Sequence, residues 1–351
     1  MKKTLIFMTI LSLSLCLGFF PGVSPAVAGG EVVVYNWTEY MPDPILSQFT
    51  RETGINVVYA TYESNETLYA KVKLMGAKGY DIIVPSSYFV SKMRREGLLA
   101  PLDKSKLTNL TNLDPALLDK PYDPQNRYSV PYMWGGTGLM VDSARLDPAA
   151  VTSWRDLWNP AYRQAVLLQD DLREVFGIAL ALNGHSVNAT DTDQIKASYE
   201  LLTGLLPNVR LFNSDNPKMP YLNGEVTLGM IWNGEAFQAM EENPQLKFIW
   251  PKEGGIFWTD CLAIPKNAPN VENAHRFINF ILRPDIAAQI AAEIGYATPN
   301  REAFKLLPEA VRNSPVAYPP SEVLHRSEFQ NDIGEAIVVY ERYWEKLKTS
   351  Q

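Results

Sequence analysis

Gly254-Gly255-Ile256-Phe257-Trp258-Thr259-Asp260-Cys261-Leu262-Ala263-Ile264-Pro265 is the stretch on which the fold turns. β-formers dominate between the glycines and the proline, with no helical period, so a strand is predicted. Side chains alternate faces along a strand, which sends Trp258 and Asp260 to one side and Cys261 to the other. An indole beside a carboxylate can hold an organic cation: the ring face attracts the charge and the carboxylate pairs with its N–H groups. The pair can equally be a core tryptophan next to a surface aspartate. The rest of the chain has to decide between these readings.

Toward the N-terminus the pattern is strand, helix, strand, helix, strand, over 31–35, 45–52, 55–62, 65–75 and 80–85. That spacing predicts a parallel sheet with right-handed crossovers, in which ligands collect at the carboxyl ends of the strands. Trp37-Thr38-Glu39-Tyr40 follows the first strand and Ser86-Ser87-Tyr88 the third. A short basic helix is predicted over 91–97, and mostly loop over 100–130. Trp134-Gly135-Gly136-Thr137-Gly138 lacks the lysine and spacing of a phosphate cradle, so it reads as a crossing between domains.

A second α/β unit opens near Ser153. A strand over 166–168 is followed by a helix running from Asp170 to Leu182. Asp171 and Glu174 lie three apart in its first turn, which fits both a capping box and a pair of ionised carboxylates for a cation. Further helices are predicted over 191–206, 236–242, 271–282 and 284–294, and from 331 to 347. Trp232 ends a strand that begins at Glu225, and Tyr296 lies in the loop after Gly295.

The 351 residues exceed one ordinary hydrophobic core, so two domains are expected. Lys2 and Lys3, the apolar run 4–20, Pro21, Pro25 and Ala26-Val27-Ala28 form the pattern of a secretory signal cleaved near Ala28. Its loss takes the formal charge from −7 to −9. An acidic chain is a poor partner for nucleic acid or an anionic membrane and a good one for a cation. No later stretch is apolar for long enough to span a bilayer. Cys16 falls within the signal, leaving Cys261 alone and no internal disulfide.

Enzyme signatures are thin. His185, His275 and His325 lie far apart, suited to surface or helix-end positions, and there is no HExxH, CxxC, GxSxG or P-loop. No catalytic residue, cofactor or metal is expected. The acid-and-aromatic set would also suit a secreted glycosidase, which glycoside turnover would reveal, or a receptor for a sugar. The candidates are mostly acceptors, however, whereas sugars ask for donors as well.

The stretches Tyr35-Asn36-Trp37-Thr38-Glu39-Tyr40, Thr61-Tyr62-Glu63-Ser64-Asn65-Glu66-Thr67, Asn213-Ser214-Asp215-Asn216-Pro217, Gly229-Met230-Ile231-Trp232-Asn233-Gly234 and Trp250-Pro251-Lys252-Glu253-Gly254-Gly255-Ile256-Phe257-Trp258 closely resemble the periplasmic polyamine receptors of ABC transporters. The resemblance covers nearly all of the chain after the signal. It implies a type II periplasmic-binding-protein fold: two α/β lobes joined by crossing segments near 136, 259 and 304, closing on a ligand between them. The implied lobes are 29–136 plus 260–304, and 137–259 plus 305–351.

Carried over by position, the resemblance implies Glu39, Asp171, Glu174 and Asp260 as ammonium partners. Trp37, Tyr40, Trp232, Trp258 and Tyr296 become walls against a methylene chain, and Thr38, Ser86, Tyr88, Ser214 and Gln330 supporting polar contacts. The implied ligand is spermidine, with putrescine weaker, and the implied partner an inner-membrane ABC permease complex. A receptor of the same fold that prefers putrescine or another small solute is the alternative.

Overall fold

The computed structural model describes residues 29–350. In chain order the first half comprises β1 (Glu31–Trp37), α1 (Asp43–Thr53), β2 (Asn56–Tyr62), α2 (Asn65–Leu74), β3 (Ile82–Ile83), α3 (Ser87–Arg95) and the long strand β4 (Ser129–Asp142). Then come β5 (Val166–Leu168), α4 (Leu172–Leu182), α5 (Thr192–Thr203), β6 (Val209–Phe212), the single turn α6 (Met219–Leu222), β7 (Leu228–Trp232), α7 (Asn233–Glu242), β8 (Leu246–Ile249) and β9 (Ile256–Ala263). The chain finishes with α8 (Val271–Ile281), α9 (Pro284–Ile294), α10 (Arg301–Leu306), α11 (Glu309–Arg312), α12 (Ser321–His325), β10 (Glu328–Phe329) and α13 (Ile337–Thr349). Proline and glycine punctuate as the sequence predicts: Gly54 and Gly295 close α1 and α9 in the left-handed conformation, at φ 72° and 74°.

The strands run in the order β2-β1-β3-β9-β4-β7-β5-β6. β1 pairs in parallel with β2 and β3, and β5 in parallel with β6 and β7. These two parallel halves are joined by the antiparallel pair β4–β9, whose register runs from Ser129 opposite Ala263 to Thr137 opposite Ile256. The glycine-rich 135–138 segment is thus the middle of a continuous strand, and β9 lies beside it at the centre of the sheet.

Buried apolar side chains assort accordingly. Val34, Phe49, Ile82, Val130, Leu262, Phe277 and Ile290 pack in one core, and Leu139, Trp154, Val166, Phe176, Leu228, Ile256 and Tyr340 in another. The α/β two-lobed fold follows from this division. Leu307 and Val311 still belong to the first core, while Val316 packs with residues of the second half.

Several local expectations shift. α3 begins at Ser87, four residues before the predicted helix, so Ser86 is its N-cap and Tyr88 lies in its first turn. α13 starts at Ile337 rather than near 331. His275 is not at the surface: it is buried in α8, where Nε2 accepts the Asp103 N–H at 2.9 Å and Nδ1 lies 2.8 Å from the Val271 carbonyl. Nε2 must therefore be the bare nitrogen, and the ring is a structural brace. The predicted signal and Cys16 lie outside the described residues.

Candidate functional site

Five strand ends converge between the cores. β1 delivers Trp37 and Thr38, β3 the turn into Ser86, β5 the approach to Asp171, β6 Ser214 and β7 Trp232. β9 crosses beneath them and presents Trp258 and Asp260 on the same face, as its alternation requires. They enclose a cavity of about 550 Å³, counting its mouth. Thirteen of the fourteen residues expected at the site line it: Trp37, Thr38, Tyr40, Ser86, Tyr88, Asp171, Glu174, Ser214, Trp232, Trp258, Asp260, Tyr296 and Gln330. The fourteenth, Glu39, does not. Its backbone has φ 52°, and its carboxylate, partly exposed, is taken by Lys218 instead of facing the cavity.

The aromatic walls brace one another. Tyr40 meets Tyr296 with ring centroids 5.2 Å apart, and Trp258 meets Tyr296 at 5.3 Å. Trp37 and Trp232 face each other from the two halves, edge to face at 6.2 Å. Glycines make room for this packing. A Cβ on Gly234 would come within 2.3 Å of the Tyr296 ring, and one on Gly135 within 2.9 Å of the Trp258 ring.

Asp260 is 4% exposed. Its Oδ1 accepts from Ser86 Oγ at 2.6 Å and its Oδ2 from Tyr40 Oη at 3.0 Å. Asn65 fixes the direction of the first bond by donating to Ser86 Oγ and to Tyr88 Oη, each at 3.0 Å. Burial nevertheless outweighs both bonds and pushes the Asp260 carboxyl up to about 7.

Asp171 caps α4: one oxygen, Oδ1, accepts from the backbone N–H groups of both Arg173 and Glu174, leaving Oδ2 for other partners. Glu174 does not reach back to complete a capping box. Its Oε1 accepts from Gln330 Nε2 at 3.3 Å, and its buried Oε2 has no partner. Burial, reinforced by the Asp171 charge, drives Glu174 well above the usual carboxylate range. The same burial raises Asp171, against the N–H bonds that favour its ionised form.

Other groups at the cavity escaped the sequence reading. Tyr62, Glu63, Asn65, Asp215, Pro217 and Glu235 also line it. Tyr62, Glu63 and Asn65, like Asp215 and Pro217, fall in stretches that carry the family resemblance, which was the available signal. Glu235 had none, since an acid in the first turn of a helix is usually a solvated one. Here it is buried, its Oε2 is unpartnered, and burial lifts it to about 7 against the Lys218 charge. Ser214 Oγ and Trp258 Nε1 are likewise buried without partners. The walls therefore hold unsatisfied carboxylate and hydroxyl oxygens, one unpartnered indole N–H, raised carboxylates and aromatic faces. That inventory suits a cation carried on a methylene chain.

Comparison with known proteins agrees with this chemistry. Residues 45–317 match the family described as bacterial extracellular solute-binding protein. The spermidine/putrescine-binding periplasmic protein of Salmonella typhimurium is 56% identical over 94% of this chain and 95% of its own length. The spermidine/putrescine-binding periplasmic protein 1 of Haemophilus influenzae is 47% identical over 93% and 91%. The spermidine/putrescine ABC transporter substrate-binding protein PotD of Streptococcus pneumoniae superposes with a TM-score of 0.77 at 37% identity, covering 92% of this chain and 99% of that one. These are solute-binding proteins and not enzymes. A two-lobed α/β frame, an anionic aromatic cleft between its halves and a match over most of the chain lead to one conclusion: this protein belongs to the bacterial extracellular solute-binding protein family.

Proposed function

We propose that the protein is an exported polyamine receptor that binds spermidine, and putrescine more weakly, in the cleft and delivers it to an inner-membrane ABC permease. The observation that carries this reading is the set of buried carboxylates, Asp260 and Glu174 foremost, whose ionisation the protein leaves under-compensated between aromatic faces. An ammonium group restores the balance, and the intervening methylenes stack on Trp258, Tyr296 and Trp37. The fourteen expected residues act together in this reading, with Glu39 at the rim rather than in the wall. The names of the two periplasmic relatives and of the pneumococcal protein support both the ligand and the transporter partner.

In this reading the lobes are 29–136 plus 260–304 and 137–259 plus the C-terminal segment. The packing of Val311 and Tyr318 against the first core favours moving the third crossing well past 304. Export uses the N-terminal signal, with cleavage near Ala28. No helix among the described residues is long and apolar enough to cross a membrane.

The test is calorimetry on protein stripped of co-purified ligand by unfolding and refolding, titrated with spermidine, putrescine and a neutral sugar. The expected result is one-to-one binding of spermidine at micromolar or tighter affinity, about 8 kcal/mol or more, with putrescine weaker. Folded protein that gives no heat with either polyamine overturns the reading.

A further inference from the structure

Just behind the cavity wall lies a cation that the polyamine reading does not use. Asp215, Pro217 and Glu235 form part of the wall. Lys218, the next residue after Pro217, is itself buried. Its Nζ donates to Glu39 Oε2 at 2.7 Å and to Gln238 Oε1 at 2.6 Å. The second Glu39 oxygen accepts from Asn216 Nδ2 at 3.3 Å. Glu39 is thus gripped from across the cleft, by residues 177 and 179 positions away in the chain. The family resemblance assigns Glu39 to a ligand ammonium, and in this chain the ammonium that meets it is the protein's own.

Resting on the polyamine reading, we propose that Lys218 is a specificity-determining residue: its ammonium stands in for one cationic group of a ligand, taking up the Glu39 charge and offsetting that of Glu235, so that the cleft offers less net negative charge to a longer polyamine.

Two observations separate this role from a mere latch between lobes. Arg95 and Asp332 already pair across the same division, with Arg95 half exposed and neither residue lining the cavity. Lys218 is far more buried, with its side chain 10% exposed, and its charge acts on Glu235, which does line the cavity. A buried charge close to a binding wall changes which ligand charges are welcome, whereas a rim pair biases closure for all ligands alike.

The experiment compares dissociation constants for spermidine and putrescine by calorimetry in the wild type and four variants. Lys218→Met releases Glu39 and Glu235 to the extra ammonium of the triamine, so the preference for spermidine over putrescine should rise about tenfold. Lys218→Arg keeps the charge and should keep the wild-type ratio. Glu39→Gln leaves the lysine uncompensated and should move the ratio the other way, toward the diamine. Arg95→Ala should shift both constants by the same factor.

A ratio that stays within about twofold of wild type in both Lys218→Met and Glu39→Gln reduces Lys218 to a latch and overturns the inference, even if both affinities fall. Wild-type protein that binds neither amine fails earlier, and overturns the polyamine reading itself.

Discussion

The Asp260 carboxylate shows in one residue how the site prepares for a cation. Its two oxygens already accept two hydrogen bonds, from Ser86 and Tyr40, yet burial still holds it near 7. Relative to an ordinary aspartate this is about 4 kcal/mol of opposition to ionisation, which a ligand ammonium would relieve. Asp260→Ala should therefore weaken spermidine binding by more than about 2 kcal/mol, because it strands a buried ammonium. An unchanged dissociation constant would remove Asp260 from the site.

The pH dependence follows from the same residue. A cation requires the ionised carboxylate, so the contribution of Asp260 to affinity should fall as the pH drops through 7. The stability effect has the opposite sense. The folded-state value is raised, so the native protein holds a proton that the unfolded chain releases between pH ~4 and 7. The contribution of Asp260 to ligand-free stability is thus most favourable at the acid end and declines as pH rises through that window. Asp260→Asn cannot ionise. Its melting temperature relative to ligand-free wild type should climb between pH 5 and 7.5, and parallel curves would refute the assignment.

Among elements, α4 combines a cap with a charge. Asp171 Oδ1 holds two N–H groups of its first turn, and an asparagine can supply the same oxygen. Asp171→Asn should change stability by less than about 0.5 kcal/mol, whereas Asp171→Ala should lose about 1 kcal/mol. Both should weaken polyamine binding, measured by calorimetry beside denaturant melts. Equal stability losses in the two variants would mean that the cap is not what the side chain contributes to the fold.

Much of this was legible in local sequence. β9 could be read from its β-formers and its flanking glycines and proline, and its alternation placed Trp258 and Asp260 together. Asp171 could be read from the three-residue spacing at a helix start. The losses were of two kinds. The basic run marks a helix only from 91, although Ser86 precedes an uninterrupted helical run that begins at Ser87. Long-range facts left no local trace. Nothing near Glu39 announces Lys218, nothing near Glu235 announces the Tyr296 ring packed over Gly234, and nothing near His275 announces the Asp103 amide.

Across the whole molecule, the two halves meet around the cavity in a closed arrangement. Thr38 Oγ1 donates to Asp215 Oδ1 at 3.0 Å, Trp37 packs on Trp232, and Gln238 Nε2 donates to the Ile294 carbonyl at 3.1 Å. The same closure lines one cavity with Asp260, on the β9 face, and with Asp171 and Glu174 at the start of α4. When they are ionised, Asp260 and Glu174 are charges held out of solvent and Asp171 repels Glu174, so charge opposes the closed state while these contacts favour it. Protonation removes the opposition, and so does a polyamine. Since a ligand can shift an equilibrium only through differential contacts with the two states, these carboxylates are where the difference resides.

Small-angle scattering provides the measurement. Ligand-free protein should have a larger radius of gyration at pH 8 than at pH 5.5, and spermidine at pH 8 should contract it to the compact value. The same addition at 100 times the dissociation constant should stabilise the fold by about 2.7 kcal/mol. The double variant Asp260→Asn, Glu174→Gln removes the two most buried charges of the cavity wall, and should be compact at both pH values without ligand and unresponsive to spermidine. If ligand-free wild type has one radius across this range, the carboxylates do not govern closure. The hinge must then be biased by the rim contacts alone.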